Sequence, residues 1–282
     1  MFSKYAVHIS SRFDYNKSKK RNLPPWKTGR GKGRRNRQRP QGRLNTLELA
    51  AEELKQNLAN VRARIRAACE RAGRNPSGVT LLAVSKTKPI EDIRVLLSEG
   101  QKAFGENYVQ ELKEKYEVLG EAAEWHMIGH LQRNKVKYII DKVCLIHAVD
   151  TLRLAEQIEK EAARHDRIVD VLMEVNIARE ETKWGFTEEA APTAAQAMGA
   201  LPHLRLRGLM TSAPVTKNVE SNRNYFRGLR ELAQRIDAQH FPNVRMDTLS
   251  MGMTQDFEVA VEEGATIVRV GTAIFGARDY RV

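Results

Sequence analysis

Two basic side chains stand beside apolar runs, where their chemistry differs from that of a solvated charge. Lys86 follows the apolar run Thr80–Val84. An ammonium that is partly removed from water has a lowered pKa, and its neutral amine can form an imine with a carbonyl compound. Arg269 interrupts the run Ile267–Val270, and a buried guanidinium requires an acceptor, for which a ring nitrogen, a phosphate or a carboxylate would serve. The alternative for Lys86 is a solvated lysine at a strand end, as we interpret Lys88.

Glycine and hydroxyl residues follow the last two apolar runs of the chain. Ser250 and Gly252 stand in the first of these segments, and Gly271 and Thr272 stand in the second. Glycine lets the backbone approach a phosphate closely, and backbone N–H groups, hydroxyls and a helix N-terminus all favour the anion. These four residues are therefore predicted to form a phosphate site. The alternative is that both glycines form ordinary turns between strands and helices.

The motifs of several other active sites are missing from the sequence. The chain has no G-x-G-x-x-G, Walker A, G-x-S-x-G or H-E-x-x-H motif. Its two cysteines, Cys69 and Cys144, are far apart, and His126, His130 and His147 are not at ligand spacing on one helix. We therefore expect no metal site and no disulfide framework.

The apolar runs alternate with helical patterns through most of the chain. Eight short runs are apolar on both faces and rich in β-branched residues, as strands covered on both sides should be. Strands are predicted at 80–84, 102–104, 124–128, 145–149, 169–175, 205–210, 248–251 and 267–270. Helices are predicted at 90–98, 108–119, 133–140, 152–165, 187–198, 220–239 and 257–263. Eight alternations without a long insertion favour an α/β fold with a closed (β/α)8 TIM-type barrel, although an open doubly wound sheet would also alternate.

In such a barrel the carboxyl ends of all the strands meet at one rim, which is where the active site lies. The candidates above lie at the ends of the first, seventh and eighth predicted strands or directly after them, and Asn107 follows the second. The fold prediction therefore brings these residues to the same rim.

The basic charge of the chain is concentrated near its start. The 282 residues include 47 Lys and Arg against 35 Asp and Glu, a formal charge of +12. Residues 1–45 contain fourteen of the basic residues and one of the acidic ones, so they carry +13 and the remaining residues carry −1. The body of the protein is therefore neutral. No apolar run reaches the roughly 18–20 residues that span a bilayer.

The first 45 residues are predicted to be a disordered extension, separate from a domain at 46–282. They contain Gly, Arg and Pro without helical or strand periodicity. Three interpretations stay open: binding of RNA or another polyanion, an organelle-targeting peptide, or an extension without function. Asn45 and Glu48 form a capping-box pattern, which predicts that the first helix of the domain opens there and runs to Arg71.

Six segments make the chain recognisable. They are AVSKTKP at 83–89, FGENYVQE at 104–111, WHMIGHLQRNK at 125–135, GLMTSAP at 208–214, LSMGMTQDF at 249–257 and VRVGTAIFGAR at 268–278. In this order they resemble the pyridoxal phosphate (PLP) homeostasis proteins, the YggS- or PROSC-like family of PLP-binding proteins. The resemblance covers residues 46–282 and leaves the basic extension outside.

The resemblance implies a fold, a cofactor and a set of roles. The fold is the barrel of fold-type III PLP enzymes, like the N-terminal domain of alanine racemase, and the cofactor is pyridoxal 5'-phosphate. Lys86 is expected to carry PLP as an imine, Arg269 to face the pyridine nitrogen and Asn107 to lie near the cofactor. The phosphate region is expected to contain Ser250, Gly252, Gly271 and Thr272.

The implied function is carriage of PLP and vitamin B6 balance inside the cell, in a cytoplasmic and monomeric protein, without efficient catalysis. PLP-accepting apo-enzymes are the expected partners. Thr254 and Gln255 depart slightly from the family pattern, which does not affect the prediction of cofactor binding.

The alternative function is a PLP-dependent racemase-like enzyme. An arginine at the pyridine nitrogen leaves the ring unprotonated and a poor electron sink, which restrains carbanion chemistry. Racemisation also needs a second acid/base group, and we expect no second domain after the last strand to supply it. Nucleic-acid binding through the basic extension is the third and least favoured interpretation.

Overall fold

The computed structural model describes residues 41–180 and 182–277, with side chains from residue 48 onward. Residues 1–40, most of the predicted disordered extension, lie outside the described residues, so this prediction stays open. The first helix, α1, is Gln41–Arg71. It begins four residues before the predicted cap at Asn45, because the capping-box pattern is a local signal that does not exclude an earlier helix start.

Eight parallel strands form a closed barrel in chain order, with β8 pairing β1. The strands are β1 Thr80–Val84, β2 Ala103–Glu106, β3 Glu124–Met127, β4 Leu145–Val149, β5 Val169–Glu174, β6 Leu204–Met210, β7 Val244–Met253 and β8 Ile267–Val270. The predicted (β/α)8 barrel is thus confirmed, and the open doubly wound alternative is wrong.

Helices follow the strands and cover the outside of the barrel. They are α2 Ile90–Ser98, α3 Val109–Leu119, α4 Leu152–Arg164, α5 Ala191–Gly199, α6 Arg223–Asp237, α7 Phe257–Glu262 and the one-turn α8 Thr272–Phe275. Two of the predicted helices contain 3-10 helix. In the one predicted at 133–140 it is Arg133–Tyr138, and at the start of the one predicted at 220–239 it is Val219–Asn222. In the first, buried Val136 and Ile139 are three residues apart, which suits the three residues per turn of a 3-10 helix.

Helix α1 lies outside the alternation and packs beside the last elements of the barrel. Its apolar residues Leu58, Val61 and Ile65 are buried. Asn57 donates to the carbonyl oxygen of Ile274 at 3.1 Å, and Arg64 pairs with Glu258 at 2.9 Å. Helix α1 therefore supports α7 and α8, which flank the predicted phosphate loops.

Two layers of side chains fill the space on either side of the barrel wall. The larger layer lies between the strands and the helices and includes Phe104, Trp125 and Phe257. The smaller one includes Leu82, Leu172, Met210 and Ile267. In a strand, alternate residues point to opposite faces, and Leu82 and Val84 of β1 therefore have the same orientation at the wall. The predicted burial of both strand faces is confirmed.

Candidate functional site

A cavity of about 380 Å³ lies at the carboxyl ends of the strands. Five of the seven predicted site residues line it, and they come from the ends of β1, β2 and β8: Lys86, Asn107, Arg269, Gly271 and Thr272. Residues 212–216 and 253–256 supply much of the remaining wall. The barrel closure thus brings together residues that are up to 186 positions apart in the sequence.

The loop that carries Lys86 is held in place by a buried polar network. Ser85 donates through its hydroxyl to Glu106 Oε1 at 2.7 Å, and Lys115 Nζ donates to the Ser85 carbonyl oxygen at 2.7 Å. Lys115 also pairs with Glu106 and with Glu111, at 2.7 Å each. Thr87 has a φ of 62°, which is uncommon for a residue other than glycine. The loop conformation on both sides of Lys86 is therefore determined by tertiary contacts.

Lys88, two residues after Lys86, has a different environment. Its Nζ donates to the carbonyl oxygen of Phe275 at 2.9 Å, and Lys88 does not line the cavity. Lys88 is partly exposed, and its ammonium is bound by backbone carbonyls as well as being accessible to solvent. Of these two neighbouring lysines, Lys86 alone lines the cavity.

Arg269 is buried and makes its hydrogen bonds to uncharged acceptors. Nη1 donates to the carbonyl oxygen and the hydroxyl of Ser250, at 2.7 and 2.8 Å. Nη2 donates to the carbonyl oxygen of Thr211 at 2.8 Å and to the hydroxyl of Ser212 at 3.2 Å. Among the described residues the Nε–H group has no hydrogen-bond acceptor. Burial lowers the pKa of Arg269 to about 10, so the side chain remains a cation at neutral pH.

Ser250 and Gly252 do not line the cavity, unlike the other five predicted residues. The Ser250 hydroxyl is fully buried between Arg269 Nη1 and His147 Nδ1, which lie 2.8 and 2.9 Å from it. Gly252 is needed for packing: its φ is +88°, and a Cβ there would lie 2.5 Å from Cβ of Ala260. Both residues therefore lie behind the cavity wall, where Ser250 contacts Arg269 and Gly252 packs against α7.

The loops after β6 and β7 add side chains that the sequence patterns did not single out as binding residues. Ser212, Thr216 and Thr254 bring hydroxyl groups to the cavity wall. Thr254 Oγ1 also accepts from the Gly271 N–H at 3.3 Å, which joins the two loops. The sequence signal for these residues was their position after a strand, but this signal is weak, because hydroxyl residues are common in loops.

The carboxylate of Asp256 also lines the cavity, but it is already hydrogen-bonded. Its Oδ1 accepts from the Met253 N–H at 2.7 Å, and its Oδ2 accepts from Asn222 Nδ2 at 2.8 Å. The carboxylate therefore fixes the loop between β7 and α7, and its negative charge is partly offset by these donors.

The residues present fit a planar ring that bears an aldehyde and a phosphate. Lys86 offers an amine, Arg269 offers an N–H donor, and the wall near Gly271 and Thr272 offers backbone and hydroxyl donors. Asn107 Oδ1 is buried without a hydrogen-bond partner in the described part of the chain. Since a buried acceptor without a donor is unfavourable, a bound molecule with a hydroxyl group would satisfy it.

A second group of polar side chains lies at the same rim, on the ends of β3 to β5. His130 Nδ1 lies 2.7 Å from Asp150 Oδ2, and the His130 ring stacks on Trp184 at 4.4 Å. Burial, and next the charge of Asp150, raise the pKa of Glu174 to about 7. Glu174 is thus a group that can exchange a proton near neutral pH. No sequence pattern marks Glu174, since its pKa depends on tertiary burial.

Two features are absent from residues 41–180 and 182–277. No group of three or more His, Cys, Asp or Glu side chains there is arranged to hold a metal ion. Within the same residues, no helix combines the length and apolar character needed to cross a membrane.

Comparisons with known proteins agree with this geometry. The family model described as alanine racemase, N-terminal domain, matches residues 56–279. A pyridoxal phosphate homeostasis protein of Aquifex aeolicus is 49% identical over 226 residues, which are 80% of this chain and 98% of that protein. The solved structure of PipY of Synechococcus elongatus, with PLP bound, is 32% identical, has a TM-score of 0.69, and aligns with 79% of this chain and 100% of PipY.

Alanine racemase itself is a more distant neighbour. The enzyme of Corynebacterium glutamicum has a TM-score of 0.60 at 17% identity, and the match covers 82% of this chain and 62% of the racemase. This likeness concerns the fold alone. With its parallel barrel, its lysine-bearing cavity and close relatives aligned over almost their whole length, the chain belongs to the pyridoxal phosphate homeostasis protein family.

Proposed function

We propose that this protein binds PLP as an imine on Lys86 and acts in intracellular PLP homeostasis, as a carrier rather than an efficient catalyst. The observation that carries the proposal is that one cavity is lined by Lys86, Arg269, Gly271 and Thr272. The PLP-bound relative and the names of the curated relatives support the same cofactor. PLP supplies an electrophilic aldehyde, and its condensation with the Lys86 amine would release one water molecule.

Arg269 supports the role of carrier. The side chain is a cation at neutral pH, and its Nε–H group, which has no acceptor among the described residues, can donate to an unprotonated ring nitrogen. An arginine does not give up its proton near neutral pH, so the ring would stay a poor electron sink. This arrangement retains the cofactor while restraining carbanion chemistry.

Phosphate binding is assigned to the loops after β7 and β8. Gly271, Thr272 and Thr254 are at the cavity wall, where the two hydroxyl groups and the Thr272 backbone N–H can donate, while the Gly271 N–H already donates to Thr254 Oγ1. Ser250 and Gly252, which belong to the same predicted set, would support these contacts from behind. Among the described residues, no lysine or arginine other than Lys86 and Arg269 lines the cavity, so uncharged donors would make most of the phosphate contacts.

The proposal extends to the setting in which PLP is carried. We propose that the protein is cytoplasmic and monomeric and that PLP-accepting apo-enzymes receive the cofactor from it. The family resemblance supports each of these points. Comparing the transfer of PLP to an apo-enzyme with and without a diffusible PLP trap tests whether transfer is direct.

A racemase-like activity is the second candidate, and Glu174 is the observation that favours it. A carboxyl group with a pKa of about 7 at the barrel rim is suited to general acid–base catalysis. Exchange of the α-proton of amino acids in D2O, followed by NMR, tests this candidate. Exchange that Glu174→Gln abolishes while PLP stays bound would favour the enzyme, and absence of exchange in the wild type would favour the carrier.

The lysine assignment is tested by absorbance, borohydride reduction and peptide mapping. The wild type should show an imine band, and reduction should leave the pyridoxyl group on Lys86. Lys86→Ala should lose the band and remain folded, because a half-exposed side chain at a strand end adds little to the core. Lys88→Ala is the matched control and should keep the band. A pyridoxyl group on Lys88 would contradict the assignment.

A further inference from the structure

Two histidines are buried in the barrel although neither lines the cofactor cavity. His126 on β3 is 6% exposed, and His147 on β4 is 0% exposed. His126 Nδ1 lies 2.9 Å from His147 Nε2, and the two rings meet edge to face. Burying a polar ring is unfavourable unless its nitrogens are hydrogen-bonded. The burial of these two polar rings therefore indicates a role beyond packing.

The hydrogen bonds of this pair continue across the barrel to the cofactor cavity. His147 Nδ1 lies 2.9 Å from the hydroxyl oxygen of Ser250 on β7. The same oxygen accepts from Arg269 Nη1 at 2.8 Å. A chain of three hydrogen bonds thus connects β3, β4, β7 and β8, and it ends on the guanidinium that lines the cavity.

The donors and acceptors of this chain determine its direction. Arg269 can only donate, so the Ser250 oxygen accepts from it. The hydroxyl hydrogen of Ser250 then has one acceptor within reach among the described residues, His147 Nδ1. His147 must therefore carry its proton on Nε2 and donate it to His126 Nδ1, which leaves the His126 proton on Nε2. With the opposite tautomer of His147, the Ser250 hydroxyl hydrogen would have no acceptor.

The electrostatic environment keeps both rings neutral, as this direction requires. Burial lowers the pKa of His126 to about 4. Burial, and then the neighbouring His126 and Arg269, hold the pKa of His147 well below its ordinary value. A protonated His147 would lack the lone pair on Nδ1 that accepts the hydroxyl of Ser250.

We propose that His147, supported by His126, is a positioning residue that orients the Ser250 hydroxyl and, through it, the Arg269 guanidinium toward the pyridine nitrogen of PLP. This inference rests on the proposed function. Both Nη groups of Arg269 are held from behind, by Ser250 on one side and by Thr211 and Ser212 on the other. The guanidinium plane is then fixed, and the Nε–H group is the donor that remains for the ring.

The test compares variants of His147 in the PLP-loaded full-length protein. His147→Leu removes the acceptor of the Ser250 hydroxyl, and His147→Asn keeps an amide group near the position of Nδ1. Leu172→Ala is the control for destabilisation, because Leu172 is fully buried in the smaller core layer and takes no part in the chain. The readouts are the absorbance spectrum of bound PLP between pH 6 and 9 and the Kd for PLP.

We expect His147→Leu to shift the spectrum and to weaken PLP binding about three- to tenfold, the effect of losing one hydrogen bond. His147→Asn should keep both the spectrum and the Kd close to the wild-type values, and Leu172→Ala should leave the spectrum unchanged. The proposal is wrong if His147→Leu leaves both readouts unchanged, or if Leu172→Ala alters them equally. Should His147→Leu fail to fold, Ser250→Ala interrupts the same chain, and an unchanged spectrum there would equally overturn the proposal.

The PLP-free protein provides an independent measurement. Nitrogen NMR of the imidazole rings should find both His126 and His147 protonated on Nε2, and a His147 ring protonated on Nδ1 would overturn the proposal. This measurement also separates the two hypotheses. A wild-type protein that binds no PLP would refute the proposed function, while the tautomers would still test the hydrogen-bond chain.

Discussion

The two glycines of the predicted phosphate site should respond differently to alanine. Gly252 has a φ of +88°, and a Cβ there would lie 2.5 Å from Cβ of Ala260 and 2.9 Å from Cα of Phe257. At Gly271 a Cβ would lie 3.5 Å from the nearest atoms, which belong to Val84, and this is an ordinary contact distance. Gly252→Ala therefore perturbs the fold, whereas Gly271→Ala adds a methyl group at the cofactor cavity.

The magnitudes follow from these geometries. At Gly252 the left-handed backbone costs about 1–2 kcal/mol for a residue with a Cβ. Overpacking against α7 adds about 1–3 kcal/mol, so we expect a loss of roughly 2–5 kcal/mol. For a domain of this size each kcal/mol lowers the Tm by about 2–4 °C, and Gly252→Ala should lower it by roughly 4–20 °C. Gly271→Ala should change the stability by less than about 1 kcal/mol while weakening PLP binding.

Thermal unfolding of the PLP-free proteins and titration with PLP distinguish the two effects. Measuring the Tm without PLP is essential, because bound ligand would itself raise the Tm. The reasoning would be refuted if Gly252→Ala kept the wild-type Tm. It would also be refuted if Gly271→Ala lost stability as Gly252→Ala does, or if Gly271→Ala kept the wild-type affinity for PLP.

Three further predictions concern charge and the N-terminal extension. Arg269→Glu should weaken PLP retention or shift the PLP spectrum, because a carboxylate favours a protonated ring nitrogen; a folded variant with an unchanged spectrum would contradict the assignment. Burial lowers the pKa of His126 in the folded state to about 4, against about 6.5 in the unfolded chain. The contribution of His126 to the free energy of unfolding should therefore be complete above pH 6.5 and fall by about 3 kcal/mol as the pH drops to 4. Urea unfolding at pH 7 and pH 4.5 should show that His126→Leu reduces this loss, while the exposed His240→Gln does not; equal losses in all three proteins would refute the linkage. A chain shortened to begin at Gln41 should keep the wild-type Tm and PLP occupancy, and a large drop in either would show that the extension supports the domain.

The sequence predicted the barrel because the signals for its strands are local. Short runs that are apolar on both faces can be read without knowing their neighbours, and β1, β4 and β8 have the predicted bounds. The ends of helices were less accurate: α5 begins at Ala191, four residues after its predicted start. The start of a helix depends on capping and packing contacts, which the periodicity of apolar residues does not reveal.

Lys86 and Arg269 could be recognised from the sequence because each places a charge beside an apolar run. Asn107, Gly271 and Thr272 also line the cavity, as their positions after the strands indicated. The sequence could not separate Gly252 from Gly271, since each directly follows a predicted strand. What separates them is the distance to Ala260 in one case and to Val84 in the other. The first depends on the packing of α7 against β7, and the second depends on the closure of the barrel between β8 and β1.

The contacts of Ser250 depended on tertiary structure alone. Its hydroxyl matched a phosphate site by residue type, but it binds His147, which is 103 positions away, and Arg269. Alternation along a strand tells which residues share a face, and this information is local. Which side chains meet across the barrel depends on the order and register of all eight strands, and no single segment of the sequence contains that information.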